Sequence, residues 1–324
     1  MDGAPGADCG VGWCHSSTKK ADCMPIYAIS NNALSEIPVK DFALEKEIQT
    51  LFETNLKTLM GLTLVSHEFS IKDKRIDTLA FDEQSCGFVI IEYKRNQNIS
   101  VFDQGITYLK LMLENKADFI LEYNERLKGS LKRDGVDWTQ IRVAFVSPAF
   151  TDIQIQATDF KDLAIELWKV TRYGNNTLHI TEIKKNPSAA SIKQATQHSK
   201  DVTLIAKETK VYTEEEWVVY AGEEMSELYK KFRTSITNLD NGIEVKPTKV
   251  YIAFKKGNKN IVDIEPQRKA LKISINAKWG KIEDPKKIAK DVSSIGHYGN
   301  GDYQIQVHND ENLEYIMSLV KQAL

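Results

Sequence analysis

Two consecutive apolar runs constrain this chain more than any other feature: Arg75-Ile76-Asp77-Thr78-Leu79-Ala80-Phe81 and Gly87-Phe88-Val89-Ile90-Ile91-Glu92-Tyr93-Lys94-Arg95. Both are rich in strand formers, and both carry charge where a buried strand normally excludes it. The segment Asp82–Gly87 is short enough to join them as a hairpin. Strand side chains alternate, so Phe88, Ile90, Glu92 and Lys94 share one face. Asp77, at the start of the first strand, then approaches Glu92 and Lys94 across the hairpin. Two converging carboxylates can hold a hard divalent cation such as Mg2+. A neighbouring ammonium can position a water and offset charge building on a phosphate. The plain alternative is a structural ion pair at a sheet edge. Buried pairs break even at best against apolar packing, so stability alone is a thin reason for such charges at mid-strand.

The flanking segments read as alternating helices and strands. Over Ala43–Met60 the residues Leu44, Ile48, Leu51, Phe52, Leu56 and Leu59 follow a helical period. Glu45 falls inside that arc and Glu47 just outside it; an inward-facing acid needs a cation to meet it. A first-turn glutamate that answers the helix dipole is the alternative. Leu62–Ile71 reads as a strand, and Val101–Leu127 as one long helix on which Gln104 and Tyr108 stack on a single face. Ile141–Val146 is a further buried strand, followed by a short helix near Thr151–Asp159. Leu163–Tyr173 and Thr177–Ile183 read as a hairpin turning at Gly174-Asn175-Asn176.

The Asp77…Glu92-Tyr93-Lys94 pattern resembles the PD-(D/E)XK nuclease superfamily, with Asp77 as its first acid and Glu92-Tyr93-Lys94 as its (D/E)-X-K element. Ile76 stands where that family usually has proline. The Gln104-x-x-x-Tyr108 pair resembles its RecB-like branch. Helix, three strands, helix, strand over Met24–Ile183 is the order of a restriction-endonuclease-like core. The expected fold class is therefore α/β (αβββαβ), followed by a smaller α+β domain. The resemblance implies that Asp77, Glu92 and the carbonyl of Tyr93 bind Mg2+ or Mn2+, with Glu45 assisting through water and Glu47 as second candidate. It also implies that Lys94 orients the attacking water, that Gln104 and Tyr108 shape the site and hold the substrate strand, and that the product keeps a 5′ phosphate. Lys72, Lys74, Arg75 and Arg95, with Asn96, Gln97 and Asn98, suit phosphate contact, a solvated strand end being the alternative. His67-Glu68 reads as an acid–base pair without a visible partner.

Residues 184–213 are polar and read as a partly helical linker. From 214 to 324 the pattern is α+β. A helix is expected over Glu223–Leu239, closed by Asp240-Asn241-Gly242. Strands are expected at Val250–Phe254, Asn260–Ile264, Leu271–Ile275 and Tyr303–Val307. Asp284-Pro285 should open a short helix, and a last helix covers Asp310–Ala323. The runs Tyr251-Ile252-Ala253-Phe254-Lys255, Val262-Asp263-Ile264-Glu265-Pro266 and Gly296-His297-Tyr298-Gly299-Asn300-Gly301-Asp302 resemble an uncharacterised C-terminal domain. That domain occurs in chains labelled "predicted transport protein" and at the end of some GmrSD-like type IV restriction proteins; it implies no particular chemistry. Lys255, Lys256 and Lys259 head a lysine-rich region interleaved with Tyr251, Phe254 and Trp279. Such a surface can hold nucleic acid by charge and stacking, and a merely solvated face is the alternative. His297 among its glycines reads as a ligand-contact loop or as a turn that needs glycine.

The length of 324 residues fits two domains, and the net charge of −2 neither announces nor excludes a nucleic-acid partner. No apolar run can span a bilayer. Cys9, Cys14 and Cys23 cluster near the start and only Cys86 lies in the body, which points to a reducing cytoplasm rather than a disulfide framework. Residues 1–23 read as a disordered extension. Cys9, Cys14, His15 and Cys23 are zinc-ligand types, but their spacing fits no standard finger. The expectation is a cytoplasmic, Mg2+-dependent nuclease acting on nucleic acid, DNA in preference, in prokaryotic defence or DNA processing. A homodimer is compatible with it, and a membrane partner is not. The rival readings are an inactive nucleic-acid- or nucleotide-binding protein on the same fold, and an interaction scaffold.

Overall fold

Asn31 and Asn32 take φ of 49° and 62°, the left-handed pair that a two-residue hairpin turn requires. They join the antiparallel strands β1 (Tyr27–Ser30) and β2 (Ala33–Glu36), for which the sequence pattern offers no signal. The computed structural model describes residues 24–95, 100–186, 188–195, 199–295 and 300–324. The extension 1–23 with its cysteines and His15, the Asn96-Gln97-Asn98 run, and His297 with its neighbouring glycines lie outside the described residues. The described residues up to Asp41 form one compact unit with Thr171–Ile180, in which the Tyr173 hydroxyl donates to the Met24 carbonyl at 2.6 Å. Phe42–Val170 and Thr181–Leu324 form a second, larger unit.

In the larger unit the helix expected over Ala43–Met60 is broken in two, α1 (Glu45–Thr54) and α2 (Leu56–Met60). Asn55 sits at φ −118°, ψ 18°, and its side chain bonds back to the Leu51 carbonyl at 2.9 Å, so the backbone leaves the helical path there. The strands β3 (Thr63–Ile71), β4 (Lys74–Asp82) and β5 (Gly87–Tyr93) form an antiparallel meander. Every residue of β5 is buried, as a strand covered on both faces must be. The long helix expected over Val101–Leu127 is likewise two, α3 (Val101–Glu114) and α4 (Lys116–Leu127), parted by Asn115, whose amide bonds the Leu111 carbonyl at 2.7 Å. Both breaks use one device, an asparagine that competes with the helix for its own backbone.

Strand β6 (Arg142–Ser147) runs parallel to β5. Helix α5 (Asp152–Thr158) follows, with Thr151 and Gln154 forming a reciprocal capping box. Then come β7 (Ile165–Arg172), parallel to β6, and β8 (Leu178–Ile183). The order β3-β4-β5-β6-β7-β8 makes a mixed sheet. Helix α1 covers one face, where the rings of Phe52 and Tyr93 meet edge-on at 5.9 Å. The other face takes α3 and α4, with Phe88 against Phe119 at 5.8 Å. Gly105 lets α3 lie close: a Cβ there would stand 2.4 Å from Ile165 Cδ1.

The stretch 184–213, expected as a linker, instead packs into the first core. It carries α6 (Ile192–Ala195) and α7 (Lys200–Glu208), and Ile192, Val202, Ile205 and Ala206 are buried there. An ion pair of 2.9 Å between Lys110 and Asp201 ties α7 to α3. The last part of the chain holds α8 (Glu214–Ala221), unforeseen, α9 (Glu223–Thr237), and strands β9 (Ile243–Pro247), β10 (Ile252–Lys256), β11 (Lys259–Pro266), β12 (Leu271–Ile275), β13 (Lys290–Asp291) and β14 (Tyr303–Val307), then α10 (Leu313–Lys321). Its sheet is antiparallel in the order β13-β14-β12-β11-β10-β9. Phe232 and Ile236 of α9 and Leu319 and Val320 of α10 fill a core against Ile252, Phe254, Ile264 and Ile273. The helix expected after Asp284-Pro285 does not form. Asp284 instead accepts from the Tyr315 hydroxyl at 2.6 Å and from the Ala289 amide at 2.9 Å, which holds a turn.

A buried charge trio pins β4, β6 and β7 together. Arg142 lies 2.9 Å from Asp82 and 2.9 Å from Glu166, whose other oxygen accepts from the Trp168 indole at 3.1 Å. Burial is the largest influence on the Asp82 carboxyl and raises it, but the Arg142 guanidinium, the Lys246 charge and the Gln84 amide together outweigh it and hold Asp82 well below the usual carboxylate range. Asp82 therefore stabilises the fold above the ordinary Asp pKa, and that stability is lost as pH falls through its depressed folded value. Replacing Arg142 by Leu strands two buried carboxylates and should cost about 3–5 kcal/mol in urea unfolding at pH 7. Gly105→Val should cost about 1–3 kcal/mol through overpacking against Ile165, measured the same way.

Candidate active site

The β4–β5 register pairs Thr78 with Ile91, which sets Asp77 across from Glu92 at the open end of the hairpin. Asp77 is fixed by its own neighbour strand: Oδ2 accepts the Tyr93 amide at 3.0 Å. Glu92, only 4% exposed, receives Lys94 Nζ at 2.9 Å and Gln104 Nε2 at 3.1 Å, both on Oε1. Gln104 also reaches the Tyr108 hydroxyl at 3.1 Å, and that hydroxyl donates to the Arg75 carbonyl at 3.4 Å. Asp77, Glu92, Lys94, Gln104 and Tyr108 are thus brought together, the last two from one face of α3. The Glu92 Oε2 and Gln104 Oε1 atoms are buried and accept no hydrogen bond. Such orphans are rare, and each carries a desolvation penalty of about 1–3 kcal/mol.

The electrostatics agree with the geometry. Burial and then the Asp77 charge push the Glu92 carboxyl above its ordinary value, against the pull of Lys94. Burial raises Asp77 as well, opposed by the Tyr93 amide and Lys94 and reinforced by Glu45. Two acids with one ammonium between them leave the pocket short of positive charge. No cluster of three or more His, Cys, Asp or Glu side chains suited to a metal occurs among the described residues. A cation here would have two carboxylates from the chain, and its further ligands would be main-chain oxygen, as expected of Tyr93, or water.

Glu45 is not an inward-facing acid. It is exposed at the first turn of α1, and it accepts the Arg95 amide at 2.9 Å, near enough for its charge to act on Asp77. The residues α1 turns inward are Ile48, Gln49 and Phe52; Glu47 is half-buried. Gln49 was not singled out by the sequence pattern. Its amide donates to the Asp77 carbonyl at 3.0 Å and to Glu53 at 2.9 Å, and Glu53 also takes the Thr78 hydroxyl at 2.6 Å. These three brace the backbone of Asp77 from the face opposite Gln104. The available signal was a glutamine at helical spacing between Ile48 and Phe52.

The basic residues divide. Lys72 lies exposed in the β3–β4 turn at φ 52°, Lys74 pairs with Asp73 at 3.0 Å, and Arg75 pairs with Glu68 at 2.5 Å. Glu68 does have partners, since Lys46 meets it at 2.9 Å. The Arg95 guanidinium donates to the Ala43 carbonyl. The lysines of the second half are not brought to this site. Lys255 donates to Gln84, in the turn at the far end of the hairpin, at 3.1 Å. Five strand residues separate that end from Asp77, roughly 17 Å. Lys256 pairs with Asp240 at 2.6 Å, and Lys259 donates to the Ala323 carbonyl at 2.5 Å. Tyr251 and Phe254 are buried and cannot stack on a base, although Trp279 is 44% exposed.

A family model described as a domain of unknown function, DUF5655, matches residues 218–324. An uncharacterized protein of Haemophilus influenzae strain Rd is 53% identical over 301 residues, spanning 93% of this chain and 99% of that protein. This chain belongs to the same family. Among solved structures, a complex of EndoMS with dsDNA is 19% identical, with a TM-score of 0.24 over 35% of this chain and 40% of that one. A repair endonuclease from Pyrococcus abyssi is 20% identical, with a TM-score of 0.24 over 35% of this chain and 42% of that one. The chain therefore spans less than half the length of these structural neighbours, and a likeness so partial bears on no activity. No helix among the described residues is long and apolar enough to cross a membrane.

Lys255 gives a pH-dependent signature. Burial first, then the like charge of Lys246, lowers its ammonium to about 8, against about 10.4 for an ordinary lysine. A lysine lowered on folding stabilises the fold above its unfolded pKa, and that contribution is lost as pH falls through about 8. Lys255→Met should therefore raise the thermal midpoint at pH 7, and the advantage should shrink as pH rises towards 10, followed by scanning calorimetry.

Proposed function

We propose that this protein is a metal-dependent nuclease of PD-(D/E)XK type, hydrolysing phosphodiester bonds of nucleic acid, DNA in preference. One observation carries the reading: a buried glutamate oxygen, Glu92 Oε2, lies without a hydrogen bond near a second carboxylate, Asp77, whose charge acts on it. A structural ion pair would use both oxygens of a buried carboxylate, because leaving one unmet is costly. A cation ligand fits the vacancy in its bonding, and the oxygen-only donor set suits a hard ion such as Mg2+ or Mn2+. Asp77, Glu92 and the Tyr93 carbonyl would hold it, with Glu45 acting through water. When bound, such an ion polarises a phosphate oxygen and lowers the pKa of a coordinated water.

The side chains supply the rest. Lys94, almost enclosed and held at 2.9 Å by Glu92, is placed to orient the attacking water and to offset charge developing on the phosphate. Gln104 fixes the Glu92 carboxylate through Oε1 and leaves Oε2 free for the ion. Tyr108, itself buried, keeps Gln104 in place through its hydroxyl and so helps shape the site. The exposed cations Lys72, Lys74, Arg75 and Arg95 border the β3–β4 turn and the end of β5, where phosphates flanking the scissile bond would run. Attack by water in line with a leaving O3′ would break the P–O3′ bond, release a protonated 3′ hydroxyl and keep the phosphate on the 5′ end, as the resemblance implies.

The test is cleavage of single- and double-stranded DNA and RNA with Mg2+ or Mn2+, alongside Asp77→Asn, Glu92→Gln and Lys94→Met. Each should lose about 10²–10³-fold in rate with the thermal midpoint retained or raised. Variants that cut as fast as the parent would remove the assignment. A second readout is independent of turnover. Mn2+ should raise the parent's thermal midpoint in proportion to log concentration above its Kd, and it should leave Asp77→Asn/Glu92→Gln unmoved. Metal binding with gel-shift activity but no cleavage would instead favour an inactive nucleic-acid-binding protein.

A further inference from the structure

Away from Asp77, where the first sheet meets the second within the larger unit, lies a cavity of about 310 Å³. Its charged lining is unbalanced: Arg142, Lys161, Lys185, Lys210 and Lys246 face only Glu166 and Glu182. Both carboxylates are already answered, Glu166 by Arg142 at 2.9 Å and Glu182 by Lys184 at 2.6 Å. Lys210 is answered too, by Glu216 at 3.4 Å. Lys161, Lys185 and Lys246 make no ion pair among the described residues. The Lys185 ammonium is half-buried and donates to the Leu163 carbonyl. The hydroxyl of Ser85, buried in the same lining, has no hydrogen-bond partner. The remaining wall is apolar, including Leu163, Ile165, Val245 and Pro247.

We propose that this cavity binds a small phosphate ester of mononucleotide size. Three lysines that make no ion pair among the described residues and a hydroxyl without a hydrogen bond converge as phosphate-binding groups do, charge-assisted donors being the strong ones. The apolar wall suits the organic half of the ligand. The volume stands at the low end of the ~300–1,000 Å³ range of small-molecule sites, which admits one nucleotide and not two. The state of Lys185 supports the same conclusion, since burial lowers it to about 8 despite Glu166, Glu182, Asp162 and Asp159, and an anion in contact with it would relieve that cost. The lining is drawn from β6, β7, β8, β9 and the segment after α7, so the ligand would bridge the first sheet and the C-terminal module. This site stands apart from the chemistry assigned to Asp77 and Glu92.

Isothermal titration of the full chain in EDTA tests it, using AMP, GMP, pyrophosphate and a 5′-phosphorylated oligonucleotide. The proteins compared are the parent, Lys161→Gln/Lys246→Gln and Asp77→Asn. Both lysines are exposed, so the double variant should keep the parent's thermal midpoint. A mononucleotide should bind the parent and Asp77→Asn alike, and the double variant should lose roughly tenfold or more in affinity. Equal affinity in the double variant overturns the assignment, as does the absence of heat from both mononucleotides at millimolar concentration. Binding by the oligonucleotide alone overturns the free small molecule in favour of a nucleic-acid end. A nuclease-inactive protein that still binds AMP through Lys161 and Lys246 leaves the proposal standing.

Discussion

The bond from the Tyr93 amide to Asp77 Oδ2, 3.0 Å long, is the contact on which the candidate site depends. Normally an amide at that point of an antiparallel pair bonds a backbone carbonyl of the neighbouring strand. Here a side chain takes it, which ends the β4–β5 ladder and turns one acid towards another. The strands part beyond that point, and the gap receives Glu92, Lys94 and Gln104. Gln49 holds the carbonyl of the same aspartate from the opposite face. One residue is therefore gripped at its backbone by helix α1 and at its side chain by strand β5. Rigid placement of this sort suits catalysis by preorganised charge, where the groups must not have to reorganise as the reaction proceeds.

The strands and their charges were legible because burial and charge contradict each other in the text of the chain. Asp77, Glu92 and Lys94 stand out against Ile76, Leu79, Phe88, Ile90 and Ile91, and alternation says which face they share. Gln104 and Tyr108 were legible because four residues make about one helical turn. The breaks at Asn55 and Asn115 were not, because asparagine is tolerated in helices, and only the geometry of its own amide decides whether the backbone departs. Glu45 keeps the helical phase of Ile48, Gln49 and Phe52, yet as the first residue of α1 it is exposed, and periodicity alone does not say where the covered part of a helix begins. Gln49 passed unnoticed because a polar residue on an apolar arc is noise until its partner, a strand carbonyl 28 residues away, is known.

The second half shows the opposite case. Its lysines look like one basic surface in the sequence, yet Lys255, Lys256 and Lys259 each meet a different partner, and two of the interleaved aromatics are core. Linear crowding of charge says nothing of where strands send alternate side chains. Beside these, Lys161, Lys185 and Lys246 are scattered over 85 positions of sequence and gather at one cavity. Only the fold could have assembled that group, because it needs β8, β9 and the segments either side of β6 to be neighbours.

Helices α6 and α7 close the account with a practical corollary. They follow the first sheet in the chain but complete its hydrophobic interior, with Val202, Ile205 and Ala206 seated against α3. A fragment ending after β8 would leave the inner side of α3 wet and adhesive. Any attempt to express the front part by itself, or any natural exchange of one tail for another, has to retain the chain through Thr209 for the excised piece to remain in solution.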